Sequence, residues 1–429
     1  MSRISVVGAG VVGLACAARL RLRGHQVTLI DPLSPGEHCS SGNAGCFSRA
    51  SFVPLGLPGM WKKVPRWLLD RKGPLSVPAR NALKVAPWLW RLHRSTSIDR
   101  VNAIADALHP LLTPTIEKWR PIAAWAGVPE LIRQEGYAFL YESEESFSGD
   151  SLGRELRRAR GVQIEILTGN EIREFDPILS SRITHLVLLP EQGHCPNPLR
   201  LSQAIAQQLQ REGTPLVRHL ATGFRLVDGR VSEVETSGGP IPSDAIVIAA
   251  GARSNSLSSQ LGCPVLLETE RGYHVMLESP NILPRIPVMS GEGKYFITPM
   301  EGGLRIAGTV ELAGLDAPPN YRRSERLLEG ANGVIPGMTY KALTRWMGHR
   351  PSMPDSKPVI GRAPGVPNAF FAFGHGHVGL TAAAPTAEII ADLIAGQQPY
   401  MDIVPFAPDR DAVRRGRIKA QMEGESARR

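Results

Sequence analysis

Gly8-Ala9-Gly10-Val11-Val12-Gly13 has the spacing of a loop that holds a pyrophosphate. In such a loop the first glycine (Gly8) permits a tight turn. The second (Gly10) lets backbone N–H groups approach the phosphates, and the third (Gly13) lets a helix pack closely on a strand. The N-terminus of that helix adds partial positive charge where the phosphates sit. Asp31 follows 18 residues after Gly13, where a carboxylate accepts hydrogen bonds from ribose hydroxyls. A carboxylate there argues against a 2′-phosphate, hence against NADP. Val7, Gly8, Gly10, Val11, Val12, Gly13 and Asp31 are therefore the first candidate ligands of a dinucleotide. The motif alone does not separate NAD from FAD; its position at the very start of the chain favours FAD.

Three further stretches suit the same kind of ligand. Ser40-Ser41-Gly42-Asn43-Ala44-Gly45 lets a bulky flat molecule lie close to the backbone, which makes Ser41, Gly42, Asn43, Ala44 and Gly45 candidates. A buried strand from Asp244 runs through Ala249-Ala250 and ends in a turn at Gly251, with Ser254 as candidate N-cap of the next helix. Near the C-terminus, Gly374, His375, Gly376, His377, Val378, Gly379, Leu380 and Thr381 form a second glycine turn ahead of a helix. Its N–H groups suit the pyrimidine edge of a flavin, where negative charge develops on reduction.

The elements that must position these residues follow from periodicity. Residues 4–7 are an apolar, β-branched run and read as a buried parallel strand. Residues 14–20 carry small and apolar residues at helical spacing up to Gly24, and 26–31 are the next strand. Leu201, Ile205 and Leu209 share one face of a helix over 197–211. Asp228-Gly229 predicts a tight hairpin between strands at 223–226 and 230–236. Residues 369–373 are a further apolar strand. The helix after the second glycine turn reads as 382–395, and Pro385 places its start near that residue.

In chain order, the Gly8–Gly13 motif, Ser41-Gly42-Asn43-Ala44-Gly45, Arg271-Gly272-Tyr273-His274, Gly308-Thr309-Val310-Glu311, Trp346-Met347-Gly348-His349-Arg350-Pro351-Ser352-Met353-Pro354-Asp355 and the 374–379 turn resemble the D-amino-acid oxidase/glycine oxidase superfamily of FAD enzymes. Within it the likeness is nearest to the D-amino-acid dehydrogenase small subunit, over about residues 1–400. The resemblance implies an α/β fold. A Rossmann-like FAD-binding domain would be assembled from 1–51, 191–261 and 339–400. An interleaved α+β substrate domain, from 52–190 and 262–338, would lay an antiparallel sheet over the reactive face of the flavin; 401–429 would be a C-terminal tail. FAD would be non-covalent. Sarcosine-oxidase-like members attach flavin through a cysteine in the C-terminal part, whereas all five cysteines here lie at or before Cys263.

The implied reaction moves hydride from Cα of a D-amino acid to flavin N5. The imine hydrolyses to a 2-oxo acid and ammonia, and the electrons pass to a quinone or other respiratory acceptor. Such a site chiefly positions its substrate. The substrate carboxylate calls for a bidentate cation, and the family's Gly-x-Arg-Pro motif makes Arg350 that residue. Tyr273 is the second expected catalytic and substrate-binding residue, and Tyr295, Tyr321 and His375 are further substrate-site candidates. No metal ligands are expected, and no general base stands out. The family's loop usually reads Phe-Ala-Asn-Ala-Gly; Ser41 and Gly42 here remove an aromatic wall. Three alternatives stay open: a soluble glycine- or sarcosine-type oxidase releasing hydrogen peroxide, the catalytic subunit of a heteromeric D-hydroxyproline-type dehydrogenase, and a non-enzymatic flavoprotein.

Composition narrows the setting. At 429 residues, 42% hydrophobic and 21% charged, the chain is folded and too long for one ordinary core. Five cysteines without CxxC or metal-ligand spacing favour a reduced, cytoplasmic compartment. The first residues lack the pattern of a signal peptide, and no run approaches the roughly 20 apolar residues that span a bilayer. The net charge of +9 is uneven. Residues 61–100 hold ten Lys/Arg against Asp70 and Asp99, leaving +1 for the other 389 residues. That distribution argues against nucleic acid, which a uniformly basic surface would suit. The same segment holds Trp61, Trp67, Trp88 and Trp90, four of the seven tryptophans. Tryptophan with Lys/Arg is a membrane-interface composition, so 61–100 is the expected docking surface for the inner membrane face or a partner subunit. Neutralising Lys62, Lys84, Arg91 and Arg94 should weaken co-sedimentation with anionic vesicles severalfold while the flavin-to-protein absorbance ratio holds; flavin loss ahead of any change in association would refute the docking role.

Overall fold

The computed structural model describes residues 1–62, 64 and 75–414. Its first sheet has six strands in the order Val359–Ala363, Val366–Phe373, Ala245–Ile248, Arg3–Val7, Gln26–Ile30 and Leu216–Val217. All neighbours run parallel except the hairpin of 359–363 with 366–373. Ala245–Ile248 and almost all of Arg3–Val7 are buried, because both faces are covered, one by the helices Val11–Leu22 and Gly379–Ile394 and the other by Val231 and Val234 with Leu257 and Leu261; this is why they read as unbroken apolar runs. The helix Val11–Leu22 packs along the helix Gly379–Ile394. Ala15, Ala17, Ala18, Ala382, Ala383 and Ala387 are all fully buried there. Glu388 and Asp392 on the second helix are paired with Arg23 at 2.5 and 2.6 Å, and Glu388 also with Arg19.

The glycine loop is set by hard contacts. A methyl group on Gly13 would lie 1.9 Å from the carbonyl oxygen of Gly8, and one on Gly8 (φ 111°) would lie 2.4 Å from that of Ala249. The later helix differs from expectation. It starts at Gly379, with Pro385 inside it. Proline has no N–H to give the carbonyl four residues back. That carbonyl, on Thr381, accepts instead from Thr115 Oγ1 at 2.5 Å, and Trp119 Nε1 donates to the neighbouring Leu380 carbonyl at 2.8 Å. Both donors stand on the helix Thr115–Trp125. The Asp228-Gly229 hairpin forms, with φ of 50° and 72° at its two turn residues. Ser254 begins the helix Ser254–Gln260 and makes no capping bond.

The second sheet has nine strands. Its main path runs Ala342–Ser352, Glu268–Glu278, Gly303–Glu311, Tyr295–Met300, Val288–Ser290, Tyr137–Tyr141, His185–Leu189 and Glu165–Thr168, and Leu75–Ser76 joins at Gly303–Glu311. Most pairs are antiparallel. One face carries Tyr273, Val275, Leu277, Ile297 and Ile306, which pack with Leu327, Ala331 and Val334 of the helix Arg322–Val334. The other face turns toward the glycine loops of the first sheet. The expected boundary at 339 assigns Ala342–Ser352 to the dinucleotide side, but the strand pairs along its whole length with Glu268–Glu278 and so belongs to the second sheet. Conversely, the helices Ile98–Leu112 and Thr115–Trp125, expected on the substrate side, pack against Gly379–Ile394.

Within 61–100, Lys63, Arg66, Trp67, Asp70, Arg71 and Lys72 lie outside the described residues. The helix Ala79–Arg94 buries Val85, Trp88 and Leu92 and leaves Leu83 90% and Trp90 53% exposed. Among the described residues no helix is long and apolar enough to cross a membrane. Gly13→Ala is expected to force the helix Val11–Leu22 off its strand, at about 1–3 kcal/mol by overpacking. Its Tm should fall and the purified protein should lose flavin; an unchanged Tm and absorbance ratio would mean that the contact is slack.

Candidate active site

One cavity of about 1110 Å³ lies between the two sheets. At its dinucleotide end, Asp31 Oδ2 accepts from the Ala9 amide at 2.7 Å and Oδ1 from the Leu33 amide at 2.9 Å, which fixes the carboxylate at the strand end. The Val11 amide, first of the helix, donates to Ser40 Oγ at 2.9 Å. The 40–45 loop is then clamped from the other sheet. Arg305 Nη1 donates to the carbonyls of Ser41 (2.9 Å) and Asn43 (2.6 Å), and Asn43 Oδ1 accepts from the Gly45 amide at 2.7 Å. Burial brings the Arg305 guanidinium down to about 10, still a cation at neutral pH.

At the sheet end, strand alternation decides what faces the cavity. Glu270, Gly272 and His274 stand opposite Arg350, Gly348 and Trp346, and directly opposed residues share a face. The Arg350 guanidinium lies over Gly272, where a methyl group would come within 2.2 Å of it. Among the described residues its one hydrogen bond to protein is Nη1 to the Thr309 carbonyl at 2.9 Å. Thr309 holds φ 61°, a left-handed conformation costly for a β-branched residue, and it aims that carbonyl at Arg350. Burial lowers the Arg350 pKa, with Cys39 and Glu270 opposing. The Trp346 ring stacks on His274 with centroids 4.9 Å apart, and His274 Nδ1 bonds the Gly42 carbonyl at 3.1 Å. A methyl group on Gly42 would lie 2.3 Å from the Trp346 ring. The aromatic wall missing from the 41–45 loop is thus supplied by a different strand.

Of the candidate cofactor residues, Val7, Gly8, Gly10, Val11, Val12, Asp31, Gly42, Asn43, Ala44, Ala250, Gly251, His375, Gly376, His377, Gly379, Leu380 and Thr381 line the cavity. Gly13, Ser41, Gly45, Gly374 and Val378 lie outside its lining. Arg350 lines it, but Tyr273 does not. Tyr273 pairs with Met347, one step out of phase with Arg350, so its ring points to the opposite face. There its hydroxyl donates to Glu311 Oε2 at 2.5 Å and accepts from the Asn320 amide at 3.0 Å. With Arg271, which donates to the Gly314, Ala317 and Pro318 carbonyls, it anchors the 312–320 loop. Tyr295 packs on Gly293 and Gly330 in the core, away from the cavity. Tyr321 is 42% exposed at the start of the helix Arg322–Val334, edge-on to Tyr273. His375 lines the cavity, with Nε2 bonded to Thr386 Oγ1 at 3.0 Å. Sequence reasoning missed Glu270, His274, Arg305 and Trp346. For three of them a signal was available: Glu270 and His274 lie two residues from Gly272, and Trp346 two from Gly348; Arg305 carried none.

A glycine-rich strand–helix crossover facing a cationic sheet across one cavity defines a dinucleotide-dependent oxidoreductase. The chain matches the DAO family model, "FAD dependent oxidoreductase", over residues 3–393, and it belongs to that family. A D-amino-acid oxidase of Bradyrhizobium diazoefficiens is 41% identical over 414 residues, covering 95% of this chain and 98% of the relative. Among solved structures, glycine oxidase from Geobacillus kaustophilus superposes with a TM-score of 0.74 at 22% identity, over 96% of this chain and 99% of that one. L-proline dehydrogenase from P. horikoshii gives 0.69 at 20% identity, over 95% and 96%. These structures share the fold.

The residues fit FAD. Asp31 stands fixed at the ribose position, the helix Val11–Leu22 opens onto the cavity, and the N-terminal turn of Gly379–Ile394 reaches its far side. Three buried imidazoles, two of them beside the cavity, are held in the neutral form. Burial pushes His194 down to about 4 and His274 and His375 to about 3. Unfolded, each would take up a proton below its ordinary value near 6.5. The unfolded state therefore binds more protons below that pH, and the stability these groups give is complete above it and lost as pH falls. Calorimetry should show a Tm that is flat from pH 8 to 7 and falls from 6.5 to 4.5, with a shallower fall in His194→Gln; a level Tm across that window would contradict buried neutral imidazoles.

Proposed function

We propose that the protein catalyses FAD-dependent oxidative deamination of D-amino acids and passes the electrons to a membrane quinone. The observation that carries this reading is Arg350, a guanidinium in the cavity wall that lies flat over Gly272 and has, among the described residues, one hydrogen bond to protein. Its planar fork matches a carboxylate bidentately. Support for a D-amino acid comes from the relative named D-amino-acid oxidase.

Arg350 binds the substrate carboxylate and thereby fixes Cα and the amine relative to the sheet. Trp346, backed by His274, gives the substrate a flat apolar wall. Gly348 lets the ring lie flat on the strand: a methyl group there would lie 2.0 Å from the Trp346 ring. FAD, when bound, would supply the acceptor for the substrate Cα–H as hydride, and the imine would then hydrolyse to a 2-oxo acid and ammonia. The quinone reading rests on the helix Ala79–Arg94, which shows Leu83 and Trp90 to solvent among Arg80, Lys84 and Arg94, a surface suited to anionic lipid. A partner subunit is the other occupant of that face. A second reading, a soluble oxidase releasing hydrogen peroxide, is favoured by the same relative's name.

Anaerobic titration with glycine, sarcosine and the D- and L-forms of alanine, proline and phenylalanine tests the reaction, and D-amino acids should bleach the flavin. Mixing the reduced enzyme with oxygen or with a short-chain quinone then separates the two readings. Faster reoxidation by quinone supports the first, and rapid peroxide formation the second. Arg350→Ala should stay yellow. Two charge-assisted hydrogen bonds at about 1.5–3 kcal/mol each set its expected loss in kcat/KM at roughly 10²- to 10⁴-fold; retained turnover would refute the carboxylate role.

A further inference from the structure

Glu270 is a carboxylate only 2% exposed, in the cavity wall, and both its oxygens are engaged. Oε1 accepts from Ser352 Oγ at 2.8 Å, and Oε2 pairs with His377 Nε2 at 2.5 Å. Burial alone would raise its pKa, but His377, Ser352 and Arg350 hold it below the usual carboxylate range. An ionised Glu270 therefore fixes the His377 tautomer: Nε2 carries the proton, and Nδ1 presents a lone pair. His377 lines the cavity with its side chain 36% exposed, and among the described residues no hydrogen bond occupies Nδ1. It thus touches both the site and solvent. The other imidazoles along this wall are engaged: His274 with Gly42, His349 with Thr269 and His375 with Thr386.

The surroundings of the pair are defined. Arg350 faces Glu270 from the adjacent strand. Cys39, from the loop after Asp31, lies near Arg350, and His375 sits on the same turn as His377. From the helix Ala79–Arg94, Trp88 Nε1 donates to the Ser352 carbonyl at 3.1 Å, which fixes the strand that carries Ser352.

Resting on the amino-acid reading above, a chemical need meets this geometry. An amino acid arrives as an ammonium ion. Its nitrogen lone pair must be free before Cα–H can leave as hydride, because that pair forms the C=N bond. We propose that His377, held by Glu270, accepts the ammonium proton at Nδ1 and releases it to solvent. One N–H bond breaks, its electron pair stays on the substrate nitrogen, and an Nδ1–H bond forms. The resulting imidazolium is paired with Glu270, and no electrons change hands in this step. His377 is the proton acceptor and Glu270 a positioning residue.

The test is anaerobic stopped-flow bleaching of the holoenzyme by D-alanine, D-proline or D-phenylalanine, whichever reduces the wild type fastest, from pH 5.5 to 10. The wild-type rate should rise along an acid limb to a plateau. His377→Gln, still yellow, should be slower by roughly 10²- to 10⁴-fold at pH 7, the usual contribution of general-base catalysis. Its deficit should shrink at high pH, where free amine is supplied by solution. Glu270→Gln should displace the acid limb and lower the plateau about tenfold or more. Arg350→Ala, by contrast, should weaken substrate binding at every pH. Variants with the wild-type limb and plateau would overturn the proposal and leave the functional reading intact, whereas a wild type that no amino acid bleaches would overturn both. Loss of flavin from both His377→Gln and Glu270→Gln would mark the pair as structural and likewise overturn the proposal.

Discussion

Eleven residues of Glu268–Glu278 pair without a break along Ala342–Ser352, with Glu270 opposite Arg350. Side chains on a strand alternate, so this one register sets which side chains share a face of the pair. It sends Glu270, Gly272, His274, Trp346, Gly348 and Arg350 to the cavity. It sends Tyr273 and Val275 to the helix behind. A slip of one residue in Ala342–Ser352 would turn the Arg350 guanidinium to the face that packs on Leu327 and Ala331. The bulge between Arg271 and Tyr273 on the other side of the strand, facing Gly303–Glu311, belongs to the same arrangement. It lies next to Thr309, whose left-handed backbone gives Arg350 a carbonyl partner.

The dinucleotide half of the site was legible in the sequence because its rules are local. Gly8, Gly10, Gly13 and Asp31 fall within one strand–helix–strand unit, and their spacing carries the geometry. Arg350 was legible through a motif, not through physics. The substrate half was less legible because it depends on register between strands some seventy residues apart. The hydroxyl of Tyr273 suggests a site residue, yet its neighbours Gly272 and His274 hold the cavity face. Tyr295 failed for the same reason: Phe296 and Lys294 line the cavity, and Tyr295 turns inward. The proton-accepting pair could not be read at all, since Glu270 and His377 lie 107 positions apart and only the folded sheet brings them together.

The two halves of the molecule meet through a small number of polar clamps. Arg305 reaches from the second sheet to the Ser41 and Asn43 carbonyls, and His274 to that of Gly42. Backbone carbonyls of an irregular loop would otherwise be left unpaired in a buried place, a cost of about 1–3 kcal/mol each. The clamp therefore does two things at once. It satisfies the loop that the first sheet cannot, and it sets the distance between the loop and the Trp346 wall. Gly42 has no side chain because that distance leaves none.

The hydroxyl of Thr115 that completes the proline-broken turn of Gly379–Ile394 comes from 266 positions earlier in the chain. The central strand Ala245–Ile248 likewise waits for Val366–Phe373 as its neighbour. During synthesis, then, the first three hundred residues emerge with one edge of their parallel sheet uncovered and with Thr115 and Trp119 lacking the carbonyls they will bind. Such late, long-range closure makes folding slow and leaves a nascent strand edge open to wrong pairing. For this chain, a ribosome that stalls before residue 366 yields no smaller working unit, only a half-built sheet.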